Sequence, residues 1–147
     1  MRLVLQRVSK ASVSKVESGE IVGQINQGLF VLIGVKKEDT KEIADNLAQK
    51  LFKLRVMSDE NQKMNRSVND VNGKFLVVSQ FTLYANTKEG NRPSFIEAED
   101  QVSAKVIYEH FISKLKDLGA AVEVGSFGEY MSIEASLDGP VTIIIES

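Results

Sequence analysis

Two short runs constrain this chain more than anything else in it. Leu29-Phe30-Val31-Leu32-Ile33 is apolar at every position, and after Lys74 so is Phe75-Leu76-Val77-Val78. A strand with one wet face alternates apolar and polar side chains, so an unbroken run reads as a strand covered on both faces. Two other stretches carry helical spacing. Asp39 or Thr40 is expected to cap the first, with Glu42 in its opening turn; Ile43, Leu47, Leu51 and Leu54 then share one face with Ala44 and Ala48. The second is expected to run from about Ser94 to Leu118 and to stop at Gly119, burying Ala104, Ile107, Tyr108, Phe111, Leu115 and Leu118. Ala98, Val102 and Val106 fall on its opposite side, the pattern of a helix with a further partner surface such as another subunit.

The remaining pieces are strands and connections. Leu3 to Val8 has strand character, and Gly19, Gly23 and Gly28 punctuate a hairpin containing Ile21, Val22 and Ile25. Ser58 to Gly73 is polar and reads as a loop. Asn86 to Pro93 is a second loop. Val122-Glu123-Val124 and Ser132-Ile133-Glu134-Ala135-Ser136 alternate, and Val141 to Ile145 closes the chain as a last strand. Many strands with two helices and no internal repeat argue for one α+β domain spanning residues 1–147.

Composition excludes several chemistries. The chain has no cysteine and a single histidine, His110. Thiolate nucleophiles, disulfides and cysteine metal sites are therefore absent, and neither a Ser-His-Asp relay nor a usual zinc site can be assembled. No phosphate loop follows a strand, so neither metal nor cofactor is expected. The net charge of −2 gives no global attraction to nucleic acid, so an RNA would have to be held by a local contact. No apolar run is long enough to cross a bilayer, and the N-terminus lacks the apolar core of a secretion signal, so a cytoplasmic protein is expected.

Two polar clusters remain. Ser79-Gln80-Phe81-Thr82 emerges from the end of a covered strand, where scaffolds place sites, although spacing alone favours the plainer reading of a strand that becomes half-exposed. Asp138-Gly139-Pro140 precedes the last strand; composition alone favours a tight turn, although a Gly-Pro unit can also offer bare carbonyls to a ligand.

Taken in order, Gln6-Arg7-Val8, Ala11-Ser12-Val13, Lys63-Met64-Asn65, Ser79-Gln80-Phe81-Thr82-Leu83-Tyr84, Arg92-Pro93-Ser94-Phe95 and Gly139-Pro140-Val141-Thr142 give the chain a likeness to a known family over its whole length. It resembles the D-aminoacyl-tRNA deacylases of the bacterial and eukaryotic type. The resemblance implies a mixed, partly barrel-like sheet with two main helices, assembled as a homodimer with its sites at the subunit interface. It implies that Ser79, Gln80, Phe81 and Thr82 hold the amino acid and the 3′-terminal adenosine of an aminoacyl-tRNA. A cis Gly139-Pro140, continued by Val141 and Thr142, would enter from the opposite subunit, fixed by Arg7, with Met131 near the pocket wall. The family has also been read with Thr82 as nucleophile. With no base to activate that hydroxyl, the expectation here is hydrolysis by positioning, by backbone N–H groups near Gln80 and Phe81, and by the RNA's own 2′-hydroxyl. D-esters, and glycyl-tRNA mischarged on tRNA-Ala, would be substrates; membrane and DNA are not expected partners. Lys63, Arg66, Lys88 and Arg92 are the candidate phosphate contacts. One departure stands out: the family usually has Asn before Asp-Gly-Pro, where this chain has Leu137. A binding module without chemistry and a structural dimerisation domain are the competing classes.

Overall fold

The computed structural model describes residues 1–147. Its strands are β1 (Arg2–Lys15), β2 (Ile21–Ile25), β3 (Gly28–Gly34), β4 (Met57–Ser58), β5 (Met64–Arg66), β6 (Lys74–Ser79), β7 (Val122–Val124) and β8 (Met131–Glu146). Its helices are α1 (Lys41–Lys53), between β3 and β4, and α2 (Gln101–Asp117), between β6 and β7. The main sheet runs β2-β1-β3-β6-β7, and β8 lies along the other side of β1. β1 pairs antiparallel with β2, β3 and β8, whereas β3, β6 and β7 run parallel. Parallel neighbours need long crossovers, and here these carry the two helices.

Both covered strands are explained by alternation between two cores. Leu29, Val31 and Ile33 of β3, with Phe75 and Val77 of β6, face the helices and join Ala44, Leu47, Ala48, Leu51, Tyr108, Phe111, Ile112 and Leu115 in the larger core. Phe30, Leu76 and Val78 point the other way, into a smaller core with Val8, Ala11, Val13 and Ile25. That second core exists because the sheet curls toward a barrel. β2 approaches β7 so closely that a Cβ on Gly23 would lie 2.6 Å from the Val124 carbonyl oxygen. β1 serves both cores: pairing irregularities on either side of Val8 let Leu3 and Leu5 face the helices while Val8, Ala11 and Val13 face the barrel interior.

Several sequence expectations change in detail. Thr40 caps α1, its hydroxyl accepting the Ile43 N–H, while Asp39 instead accepts the Lys36 N–H and the Met1 ammonium. α2 starts at Gln101 rather than Ser94, because the Asp100 carboxylate takes the N–H groups of Val102 and Ser103. Residues 94–99 instead run alongside earlier chain, with Lys37 N–H donating to Glu97 and Glu99 N–H to Val35. The polar stretch 58–73 contains the β4–β5 pair and a 3-10 turn, Asn69–Val71. The segments read as two closing strands are one strand, β8, and Asp138-Gly139-Pro140 lies within it rather than in a turn before it.

Burial holds two phenols protonated. Tyr108 donates to the Val77 carbonyl at 2.9 Å and its pKa is raised, mainly by burial and further by Glu109. Tyr84 is pushed up to about 12, again mainly by burial, with Asp39 adding to it. The unfolded chain ionises these groups near pH 10. Stability from both is therefore complete below pH 10 and is lost as pH rises toward and through the folded values. Denaturant unfolding at pH 9 and pH 11 should show the drop, and Tyr84→Phe and Tyr108→Phe should each make it shallower; an identical slope in both variants would contradict the assignment.

Candidate active site

β6 ends beside β3, with Ser79 opposite Ile33, and the Gln80 N–H donates to the Ile33 carbonyl at 2.7 Å. The chain then folds into a 3-10 turn, Phe81–Tyr84. The turn fits because β3 ends in glycine: a Cβ on Gly34 would stand 3.0 Å from the Leu83 Cβ and 3.1 Å from the Tyr84 ring. Arg2 holds it from the other side, donating to the Leu83 carbonyl at 2.5 Å with its guanidinium 5.0 Å from the Tyr84 ring centre. Tyr84 anchors inward, whereas Phe81 and Thr82 are exposed, and the Phe81 ring meets Phe95 edge-on at 5.1 Å.

The Thr82 hydroxyl in this turn is bonded to an amide rather than to a base. The Gln80 amide donates to the Thr82 hydroxyl oxygen at 2.5 Å, so the hydroxyl is oriented but has no group to take its proton. His110 lies elsewhere, between the helices, 2.9 Å from Asp45, with Lys114 on the other carboxylate oxygen at 3.8 Å. The backbone N–H groups expected as donors near Gln80 and Phe81 differ in their hydrogen bonding. The Gln80 N–H is committed to Ile33, whereas no carbonyl accepts from the N–H of Phe81 or Thr82 at the mouth of the turn.

Met131 is brought to the same end of the sheet. β7 runs beside β6, and Gly125 follows it with its N–H on the Val77 carbonyl. The Met131 sulfur accepts the Ser126 N–H at 3.2 Å, and both this sulfur and the Val78 side chain pack where a Cβ on Gly125 would be, at 3.0 and 3.2 Å. Phe95 belongs to a stretch that carries the family resemblance but was given no role, and Gly125 and Ser126 were not singled out from the sequence. Gly125 and Gly128 bracketing the end of an apolar strand were the available signal for the last two.

Gly139 and Pro140 are joined by a cis peptide bond, and Gly139 has φ 127°. Arg7, buried, ties this segment to β4: its Nε lies 3.2 Å from the Asp138 carbonyl and 3.0 Å from the Asp138 carboxylate, while Nη1 donates to the Val56 carbonyl at 3.0 Å and to Ser58 Oγ at 3.3 Å. Thr142 is exposed and pairs with Gln6; Val141 is half-buried. Leu137, opposite Val8, is exposed.

Within one chain the two clusters stay apart. Arg7 pairs with Leu29, and Leu29 with Phe75, so Gly139-Pro140 sits at the start of β6 while Ser79 ends it. That is four residues along the strand, roughly 13 Å, and three strand spacings across, roughly 14 Å on a flat sheet. The candidate cations also separate. Lys63 precedes β5 and makes no ion pair, Arg66 pairs with Glu60, and Lys88 and Arg92 lie unpaired in the exposed 86–94 loop. Two clefts elsewhere, one between α2 and the β7 exit near Phe127 and one around Gln24, Asn72 and Lys74, are not lined by Ser79–Thr82.

The sequence profile of a family described as D-Tyr-tRNA(Tyr) deacylase matches residues 4–146. A D-aminoacyl-tRNA deacylase of Bacillus licheniformis is 52% identical over 147 residues, covering 100% of this chain and 99% of that protein. One from Aquifex aeolicus is 51% identical over 147 residues, covering 100% and 98%. Among solved structures, one named c-Myc DNA Unwinding Element Binding Protein superposes with a TM-score of 0.92 at 38% identity, covering 100% of this chain and 99% of that one.

The Arg7 clamp carries a stability prediction. Arg7→Leu leaves the Val56 carbonyl without its donor and should lower the unfolding free energy by about 2–4 kcal/mol. Arg7→Lys, a point charge without the planar fork, should fall between that and the native chain. Urea midpoints measure both, and a change below about 0.5 kcal/mol for Arg7→Leu would mean that the clamp contributes nothing to folding.

Proposed function

The chain belongs to the D-Tyr-tRNA(Tyr) deacylase family, and from that premise we propose that it hydrolyses the ester joining a D-amino acid to the 3′-terminal adenosine of tRNA. The observation that carries this reading is the turn after β6, which presents two uncommitted N–H groups and one hydroxyl bonded to the Gln80 amide rather than to a carboxylate or imidazole. Such a site suits a substrate that is already activated. An aminoacyl ester needs a held water and support for the oxyanion, not a strong nucleophile.

In the proposed reaction a water oxygen bonds to the ester carbonyl carbon. The carbonyl oxygen, now negative, accepts from the N–H groups of Phe81 and Thr82. The intermediate collapses by breaking the bond to the ribose 3′-oxygen, which takes up the proton lost by the water through the neighbouring 2′-hydroxyl. Free amino acid and intact tRNA leave. Gln80 keeps the Thr82 hydroxyl pointed at the substrate, and Ser79 and Met131 form the wall behind it.

Selection is assigned to Gly139-Pro140 of a second copy. Three strands and roughly 13 Å of strand length keep this segment from its own site. It lies within β8, a 16-residue edge strand with exposed Ile133, Leu137 and Ile144, which is the kind of edge that pairs with another chain. In a homodimer the segment of one copy would enter the site of the other, where its carbonyls grip the substrate amino group and fill the space an L side chain needs. Val141 and Thr142 continue the segment, and Arg7 sets its position. Glycine has a hydrogen at both positions, so glycyl-tRNA, including tRNA-Ala mischarged with glycine, passes the same filter. Lys63, Arg66, Lys88 and Arg92 are assigned to RNA phosphates, with Arg66 the weakest candidate because Glu60 already engages it. No helix is long and apolar enough to cross a membrane. A cytoplasmic place, where charged tRNA is found, completes the proposal, and duplex DNA is not part of it.

D-tyrosyl-, L-tyrosyl- and glycyl-tRNA test the proposal directly. The D and glycyl esters should be hydrolysed and the L ester spared. Cleavage of both tyrosyl esters indicates a non-selective esterase, cleavage of neither indicates a binding protein, and an untouched glycyl ester contradicts exclusion by space. Thr82→Ala should retain most of the native kcat, whereas Gln80→Ala should lower kcat/KM by about tenfold or more. Near-complete inactivation of a folded Thr82→Ala protein would instead make the hydroxyl the nucleophile.

A further inference from the structure

Phe95 has no part in the reaction above, yet its ring lies against Phe81 of the candidate site. Phe81 and Phe95 are 57% and 38% exposed, and their rings meet edge to face at 5.1 Å. Core aromatics bury their faces; this pair keeps much of its surface in solvent, immediately beside the turn that holds the reacting ester. Phe95 also closes the base of a loop. Asn86 and Ser94 exchange both backbone hydrogen bonds, 2.7 and 2.9 Å, so residues 87–93 project from a fixed stem with Phe95 at its foot. On that loop Lys88 and Arg92 are exposed and make no ion pair, which leaves both free for an outside anion.

An exposed aromatic face flanked by uncommitted cations and continuous with the reacting site matches one occupant chemically. A single-stranded polynucleotide presents a flat base and a phosphate at each step; stacking takes the base and cations take the phosphate. A second copy of this chain is already assigned, through its Gly139-Pro140, to the amino-acid end of this site, and the paired rings with their two cations are left for the RNA end of the same substrate.

We propose that Phe95, braced by Phe81, is the stacking platform for the base preceding the terminal adenosine, and that Lys88 and Arg92 take the adjoining phosphates. This rests on the deacylase reading and extends the site by one nucleotide. Phe95 is thus a binding residue for the RNA end, not a catalytic one. It reads no sequence, because every base offers a face.

A ladder of short substrates tests it: D-tyrosyl esters of adenosine, of the CA dinucleotide and of the CCA trinucleotide. In the native protein kcat/KM should rise from adenosine to the longer esters. Phe95→Leu, which keeps apolar bulk without a flat face, should reduce that rise by about tenfold. Phe95→Tyr should restore it, and Lys88→Ala with Arg92→Ala should make the remainder less salt-sensitive. A flat ladder in the native protein overturns the proposal, as does an equal loss on all three esters in Phe95→Leu, which would mark the ring as structural support for Phe81. Binding of the uncharged CCA trinucleotide, followed by fluorescence anisotropy, gives a second measure that needs no hydrolysis. Should no ester be cleaved, the deacylase reading fails on its own. The platform then stands if Phe95→Leu weakens trinucleotide binding and falls if it does not.

Discussion

The parallel pairing of β3 with β6 is the constraint from which the rest of this molecule follows. Side chains on both strands point alternately into two apolar cores, so neither strand can meet water on either face. The pairing is tight at its start, where Gly28 leaves no room for a side chain: a Cβ there would lie 1.9 Å from the Lys74 carbonyl oxygen. Two parallel neighbours cannot be joined by a hairpin, so a crossover is obligatory and α1 supplies it. The same geometry brings the end of β6 out at one rim of the sheet, between the ends of β3 and β7, and Ser79–Thr82 occupy that rim. Open sheets with parallel strands commonly bind ligands at the carboxyl ends of those strands, and this one has its candidate site in that position.

Much of this architecture was legible before any coordinates. The covered strands, the apolar faces of both helices and the glycine stop of α2 follow from periodicity and composition alone. The departures share a physical cause, which is that a local signal was outranked by a specific contact. The second helix begins seven residues later than its pattern allows because Asp100 offers a better cap than anything near Ser94. Residues 94–99 find partners on Val35 and Lys37. Gly-Pro reads as a turn in isolation, yet here β1 runs past it on the inner side and the chain resumes as one strand.

The site was less legible than the fold. Ser79-Gln80-Phe81-Thr82 could be placed at a strand end but not distinguished from an ordinary half-exposed edge. What distinguishes it is hydrogen-bond bookkeeping: which N–H is spent on Ile33 and which are free. Sequence placed the donor role near Gln80 and Phe81; of the N–H groups there, that of Gln80 is bonded to Ile33, while those of Phe81 and Thr82 have no carbonyl partner. Phe95 stood in a stretch that carries the resemblance but with no role of its own, since an aromatic residue after Arg-Pro-Ser is as compatible with a core as with a surface. The Arg7 bridge was expected from resemblance, but its second hand, on Val56 and Ser58, was not foreseeable, because β4 is two residues long and has no pattern of its own.

The interruption of β8 has a consequence for how the chain avoids its own kind. A sixteen-residue strand with a bare edge is a template on which identical molecules can stack without limit. At Pro140 that edge has no amide hydrogen to give, and the backbone around it steps out of register with β1 between Gln6 and Val8. The ribbon's pairing with β1 is thereby divided into two shorter registers. Open-ended fibre growth is frustrated, while a single closed pairing of two molecules about the break stays geometrically possible.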